Sequence, residues 1–180
     1  MAKNNKDIAD QYAKAIFELA SEQDNVETIK VSLQTIQTVL QDNQTLVKIL
    51  TSAQVTDDIK QSLLATLTDF APESVKNLIQ LLAYNERLNI LHLVIEQFMH
   101  AYNRMHGIVD VEATTSVPLN EERLQRLAKV FAQKTGAKKV NVSNTIDESI
   151  LGGVILQSES TLIDGSLKTK IAKFKAQLLG

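Results

Sequence analysis

Glycine is confined to one end of this chain. All six glycines, at positions 107, 136, 152, 153, 165 and 180, fall at or after Gly107, and Pro72 is the only proline before it. Glycine weakens helix interiors and serves where the backbone must turn back on itself, so a long glycine-free stretch is expected to be helices joined by short loops. Apolar residues in that stretch recur at three- and four-residue steps, which is the helical period. Ile8, Tyr12, Ala15, Ile16 and Leu19 mark a first helix. Val26, Ile29, Leu33, Ile36 and Leu40 mark a second, with Asn25 as its N-cap. A short third helix spans Leu46 to Leu50. Thr56 caps a fourth carrying Ile59, Leu63, Leu64 and Leu67, and Pro72 opens a fifth with Val75, Leu78, Ile79 and Leu82. A sixth, with Leu91, Val94, Ile95, Phe98 and Tyr102, stops before Gly107. The expectation is an all-α six-helix bundle over residues 1–105.

Beyond Gly107 the period changes from 3.6 to 2. Val109, Val111 and Ala113 alternate with Asp110, Glu112 and Thr114, as in a half-buried strand. Pro118 breaks the chain, Asn120 caps a helix with Leu124, Leu127, Ala128 and Phe131 on one face, and Gly136 ends it. Val140 and Val142 alternate in a further strand. Gly153-Val154-Ile155-Leu156 reads as a buried strand and Leu162-Ile163 as its hairpin partner. Asp164-Gly165-Ser166 then turns into a terminal helix whose Leu167, Ile171, Phe174 and Leu178 are expected to fill its core stripe. Residues 106–180 are therefore expected to form a small α/β domain, giving an α+β two-domain fold.

Composition narrows the function. The formal net charge of the 180 residues is −2, which supplies no basic field for nucleic acid or anionic lipid. Residues 1–105 carry 9 Lys/Arg against 13 Asp/Glu and residues 106–180 carry 10 against 8, a mild split from −4 to +2 that suggests two surfaces with different partners. There is no cysteine, so disulfides and thiolate chemistry are excluded. The opening Met1-Ala2-Lys3-Asn4-Asn5-Lys6-Asp7 has neither the apolar core of a secretory signal nor the composition of a transit peptide, so the mature chain is expected to start there. The longest apolar run, Ile90-Leu91-His92-Leu93-Val94-Ile95, is far short of the roughly 20 residues that span a bilayer.

No catalytic residues, metal site or cofactor are expected. The chain has no glycine-rich phosphate loop, no nucleophile elbow and no zinc-protease helix. Gly152-Gly153 reads as a bulge or a close backbone approach rather than a nucleotide site. His92, Glu96 and His100 share a helix face but are spread over too many turns to converge on one ion. Asp147, Glu148 and Asp164, with Glu121 and Glu122, are the clustered acids an enzyme would have to use, and strand-end turns and an N-cap explain them more simply. Lys168, Lys170, Lys173 and Lys175 make the terminal helix basic, open to a solvated face, a protein contact or, more weakly, nucleic acid.

Two helices carry more apolar surface than one core consumes. On the first, Ala9, Ala13, Phe17 and Ala20 extend the stripe of Ile8, Tyr12, Ala15, Ile16 and Leu19 around the wheel. On the fifth, Leu81 and Tyr84 point off the stripe of Val75, Leu78, Ile79 and Leu82. Such helices either bury deeply or flank a groove that receives a partner's amphipathic helix.

Three blocks carry a family resemblance. Gln11-Tyr12-Ala13-Lys14-Ala15-Ile16-Phe17-Glu18-Leu19-Ala20 resembles the opening helix of the ATP synthase delta subunits, the family of the mitochondrial oligomycin-sensitivity-conferring protein. Asn77-Leu78-Ile79 through Asn85-Glu86-Arg87-Leu88 to Glu96-Gln97-Phe98 resembles the family's fifth and sixth helices. Ile150-Leu151-Gly152-Gly153-Val154-Ile155-Leu156 with Leu162-Ile163-Asp164-Gly165-Ser166-Leu167 resembles its C-terminal signature. The chain departs from the family pattern at Gln11 and at Lys168-Thr169-Lys170, neither of which removes apolar surface.

The resemblance implies a non-catalytic stator subunit of a proton-translocating F-type ATP synthase, peripheral to the cytoplasmic face of a bacterial membrane through the complex. It implies that residues 1–105 bind the N-terminal segment of an alpha subunit along the first and fifth helices, through Tyr12, Ala15, Ile16, Leu78 and Leu81. It implies that residues 106–180 meet the C-terminal ends of the b subunits, with Lys168, Lys170 and Lys173 as candidate contacts. A helical adaptor unrelated to the synthase and an enzyme within the α/β half are the alternatives.

Overall fold

The computed structural model describes residues 4–52 and 54–179. Helices α1 (Asn5–Glu22), α2 (Val26–Asp42), α3 (Gln44–Thr51), α4 (Asp57–Thr68) and α5 (Glu73–Tyr84) come first, and a short 3₁₀ turn at Leu88–Ile90 leads into α6 (Leu91–His106). The chain divides into two compact units between Tyr102 and Asn103. Without glycine, the first unit leaves two of its helices through other residues in the left-handed region. Asp24 has φ 52° and Glu86 φ 56°. The following amides close the turns, Asn25 N donating to Ala20 O at 3.0 Å and Arg87 N to Leu82 O at 2.7 Å, the pattern of a helix end normally given to glycine.

The core of the first unit is built on fully buried Ile29, Leu33 and Ile36 of α2, Val75, Ile79 and Leu82 of α5, and Val94, Ile95 and Phe98 of α6. Phe17 meets Phe98 edge to face with ring centroids 5.5 Å apart, a favoured aromatic geometry. Near the ends of α2 and α6, the Tyr102 hydroxyl donates to Glu27 Oε1, and Lys30 Nζ sits 4.2 Å from the Tyr102 ring centroid. Helix α1 packs differently from the expected stripe: Ala9, Ala13, Ile16 and Ala20 are buried, while Ala15 and Leu19 are exposed. The small alanine face lets the helix approach its neighbours closely, while Ile8, Tyr12 and Phe17 pack against the core from its sides and Leu19 is left on the flank.

In the second unit, strands β1 (Ile108–Thr115), β2 (Lys139–Ile146), β3 (Val154–Gln157) and β4 (Leu162–Asp164) form one sheet in the order β2-β1-β3-β4. β1 and β2 are parallel, from Ile108 opposite Lys139 to Thr115 opposite Ile146, and α7 (Glu121–Thr135) makes the crossover between them. β3 runs antiparallel to both β1 and β4, pairing Leu156 with Ala113 and with Ile163. The period-2 residues Val111, Ala113 and Leu156 bury with Phe131 of α7, flanked by Val109, Val140 and Val142. Asn120 caps α7 by accepting from Arg123 N at 3.0 Å, and Gly136 ends it at φ 74°. Asn25 and Thr56 stand at N-cap positions but make no side-chain cap hydrogen bond. A second 3₁₀ turn (Glu148–Ile150) precedes β3, and α8 (Leu167–Leu179) closes the chain.

Candidate functional site

The predicted groove residues separate by depth. Ile16 and Leu78 are buried in the core of the first unit, Tyr12 is half-buried, and Ala15 and Leu81 are exposed. A polar node joins the two helices at this surface. Asn85 Nδ2 donates to Leu81 O at 2.9 Å and to the Tyr12 hydroxyl at 3.1 Å, and Arg87 Nη1 lies 3.5 Å from the same hydroxyl. Tyr12 is thereby fixed with its ring along α1 and its oxygen at the end of α5. Leu19 at 39% and Leu81 at 48% exposure add apolar area beside it, so α1 and α5 offer an apolar flank with an ordered polar edge. Leu19, which the helical period assigns to the core, belongs to this flank; Tyr84 is more exposed still. Tyr84 stands at the rim of a separate cleft of about 670 Å³, lined also by Leu50, Lys60, Leu64 and Ala83. No sequence signal marks that cleft.

The second surface is α8, held at its start by the turn after β4. Asp164 accepts from Ser166 N at 2.9 Å and from Thr169 Oγ1 at 2.7 Å, and Ser166 Oγ, fully buried, accepts from Thr169 N at 3.2 Å. The Thr169 hydroxyl and the Ser166 amide hold the Asp164 carboxyl below the usual aspartate range. Gly153 sits under this turn at φ 81°, so close that a Cβ there would lie 2.4 Å from Gly165 O. Gly165 N donates to Val154 O at 2.9 Å and Leu167 N to Gly152 O at 3.0 Å. The glycine pair is thus a close backbone approach that locks the start of α8.

Past its first residues, α8 does not bury the stripe expected of it. Leu167, Ile171, Phe174 and Leu178 are all exposed, Phe174 to 64% and Leu178 to 86%. Leu167 lies over Gly152, where an added Cβ would come within 2.9 Å of its Cδ1, and the stripe beyond it runs on exposed. Lys168, Lys170 and Lys173 are exposed as well; Lys170 and Lys173, three residues apart, share one side of the helix and Lys168 stands on another, so the three do not form one patch.

The remaining acids and histidines fill local roles. Asp147 accepts from Ser149 N at 2.8 Å and from Ser149 Oγ at 3.0 Å. Glu121 and Glu122 occupy the first turn of α7, where a helix dipole favours negative charge. His100 Nε2 lies 3.6 Å from Glu96 Oε1, and among the described residues no three His, Asp or Glu side chains gather to hold an ion. No helix among the described residues is long and apolar enough to cross a membrane.

Comparison with known proteins is consistent across the chain. Residues 8–178 match the family model described as ATP synthase delta (OSCP) subunit. The ATP synthase subunit delta of Leuconostoc mesenteroides is 62% identical over 180 residues, covering 100% of both chains. That of Lactiplantibacillus plantarum is 36% identical over 179 residues, covering 99% of each. Among solved structures, a chain of the Toxoplasma gondii mitochondrial ATP synthase hexamer superposes with a TM-score of 0.78 over 96% of this chain and 97% of that one, at 20% identity. This last likeness is one of fold.

Proposed function

The chain belongs to the ATP synthase delta (OSCP) subunit family, and from that premise we propose that it ties the alpha/beta catalytic headpiece of a proton-translocating F-type synthase to its peripheral stalk. It is a non-catalytic subunit of the stator. Rotation driven by proton flow drags the headpiece, and torque becomes conformational change at the catalytic sites only if the headpiece is held still. Such a part needs affinity and stiffness rather than reactive groups.

In this reading α1–α6 act as a six-helix bundle, residues 1–105, that takes the N-terminal segment of an alpha subunit. Residues 106–180 meet the C-terminal ends of the b subunits, with Lys168, Lys170 and Lys173 as candidate contacts. The subunit would sit at the cytoplasmic face of a bacterial membrane, reaching it only through the complex. The observation that carries the headpiece contact is the apolar flank of α1 and α5, where Tyr12 and Leu81 meet through Asn85. Ala15 widens that flank, and Ile16 and Leu78 support it from the core.

Titration calorimetry of the full chain against a peptide from the N-terminus of the cognate alpha subunit tests this. Saturable one-to-one binding with negative heat-capacity change, the mark of apolar burial, is expected. Tyr12→Asp or Leu81→Asp should weaken it by about tenfold or more while leaving the fold intact, because neither side chain is in the buried core. Folded variants that bind as tightly as the parent would remove the flank from the contact.

A further inference from the structure

We propose that the outer edge of β2 receives an extended segment of another chain, one that alternates apolar and polar residues and carries an acidic residue opposite Lys139.

β2 is the outer strand of the order β2-β1-β3-β4 and runs eight residues, Lys139–Ile146. Lys139 N donates to Gly107 O at 3.3 Å and Asp147 N to Thr115 O at 2.8 Å, both towards β1. Backbone groups alternate sides along a strand, so Lys139, Asn141, Ser143 and Thr145 point their N–H and C=O at β1. Those of Val140, Val142, Asn144 and Ile146 point outward, and no hydrogen bond among the described residues reaches them. Sheets ordinarily guard an edge with charges, proline, a bulge or brevity. The opposite edge, β4, is only three residues long. β2 has no proline and no break in its register with β1, and Lys139 is its one charged residue.

The edge itself specifies the occupant. Its outward N–H and C=O groups are met only by an extended backbone, because a helix uses its own groups internally. Val140 and Val142 lie on the face that packs with Phe131 of α7, and Ile146, on the same face, is 53% exposed. The occupant's residues on that face are therefore apolar. On the other face Asn141 donates to Asp110 and Thr145 to Glu112, so cross-strand neighbours there are polar. Lys139 is exposed and makes no ion pair among the described residues, which calls for an acid opposite it. A second copy fits poorly in either direction. Paired antiparallel across a two-fold, it would crowd two α7 helices, each packed along its own β2, over strands about 4.8 Å apart, where packed helices need about 8–10 Å. Paired parallel, it would set Lys139 against Lys139, which is destabilising.

The test follows residue-resolved amide hydrogen exchange of the full chain with and without a blocked eight-residue peptide. In the peptide, valine alternates with threonine from a first valine, and glutamate is the last residue, so that antiparallel docking sets glutamate opposite Lys139. At saturation the amides of Val140, Val142, Asn144 and Ile146 should slow by about tenfold or more, while those of Asn141, Ser143 and Thr145, already bonded to β1, should not change. N-methylation of the peptide's valines, whose amides face the edge, should abolish binding, and N-methylation of its threonines should leave it. Ile146→Pro removes an outward N–H that the fold does not use and should weaken binding by about fivefold. Lys139→Glu should weaken it by about threefold at low salt and less at high salt. The proposal is overturned if the peptide slows none of the four outward amides, or if the valine-methylated and threonine-methylated peptides bind alike. Sedimentation of the full chain alone as a dimer that Ile146→Pro dissociates would also overturn it, by giving the edge to a second copy.

Discussion

Gly153 and Gly136 share a left-handed backbone, φ 81° and φ 74°, but differ in what a methyl group would meet. At Gly153 a Cβ would stand 2.4 Å from the carbonyl oxygen of Gly165; at Gly136 it would meet nothing within 4 Å. Gly136→Ala should therefore cost only the conformational penalty, about 1 kcal/mol. Gly153→Ala adds a backbone clash and should cost about 3 kcal/mol or more, with the turn before α8 displaced. Thermal unfolding followed by circular dichroism checks both; equal losses would show that the close approach at Gly165 carries no weight. Sequence alone pointed to Gly136 as a helix stop and to Gly152-Gly153 as a bulge or a close approach, and the structure shows the close approach. Capping was less uniform. Asn120 accepts its cap hydrogen bond, whereas Asn25 has φ −123° and ψ 21°, turns its amide nitrogen to Gln23 Oε1, and leaves its own Oδ1 buried without a partner. The N-cap preference describes which residue suits the position, and the incoming turn at Asp24 decides whether its side chain can reach back.

At the scale of elements, α1 and α8 misled the periodicity in opposite directions. For α1 the wheel gave an apolar surface too wide for one core without saying which half packs, and the natural guess took the larger side chains. The packing face is instead Ala9, Ala13 and Ala20 with Ile16. Close helix contact needs small residues, so Ile8, Tyr12 and Phe17 meet the core only part-buried and Leu19 remains for the surface. Ala13→Leu should cost about 1–3 kcal/mol through overpacking, and Ala15→Leu should be within about 0.5 kcal/mol of neutral. Denaturant midpoints measured on both variants separate the two faces; a destabilised Ala15→Leu with a neutral Ala13→Leu would reverse the assignment. For α8 the stripe of Leu167, Ile171, Phe174 and Leu178 has the spacing of a core face, but past Leu167, which lies over Gly152, it stays exposed. Hydrophobic period reports that a face is to be covered. It does not report whether the cover lies in the same chain.

For the whole molecule, acid sensitivity is expected to fall on the second unit. Asp147 and Asp164, both in that unit, are held below the ordinary aspartate value of 3.8, Asp147 chiefly by the Ser149 hydroxyl and Asp164 chiefly by the Thr169 hydroxyl. A carboxyl with a depressed folded value stabilises the fold above its unfolded value and loses that contribution as pH falls through the folded one. Melting of the second unit should thus begin to drop as pH passes below about 4, and Asp164→Asn should flatten that dependence. Melting temperatures between pH 6 and about pH 2.5 provide the check, and an unchanged slope in the variant would discount the Thr169 and Ser166 hydrogen bonds as its source.

The sequence by itself determined the order and type of the elements, from glycine placement and the change of period at Gly107, because these are local properties of backbone and side chain. It also carried the family, through blocks spread along the chain that later matched over residues 8–178. Tertiary structure decided which apolar residues are covered. Ile16 and Leu78 went inside, Leu19 and Leu81 stayed out, Asn85 joined Tyr12 to Leu81 across 73 residues, and past Leu167, which lies over Gly152, the stripe of α8 stayed exposed. Burial depends on which elements meet, and that is fixed by contacts between distant parts of the chain that no local period records.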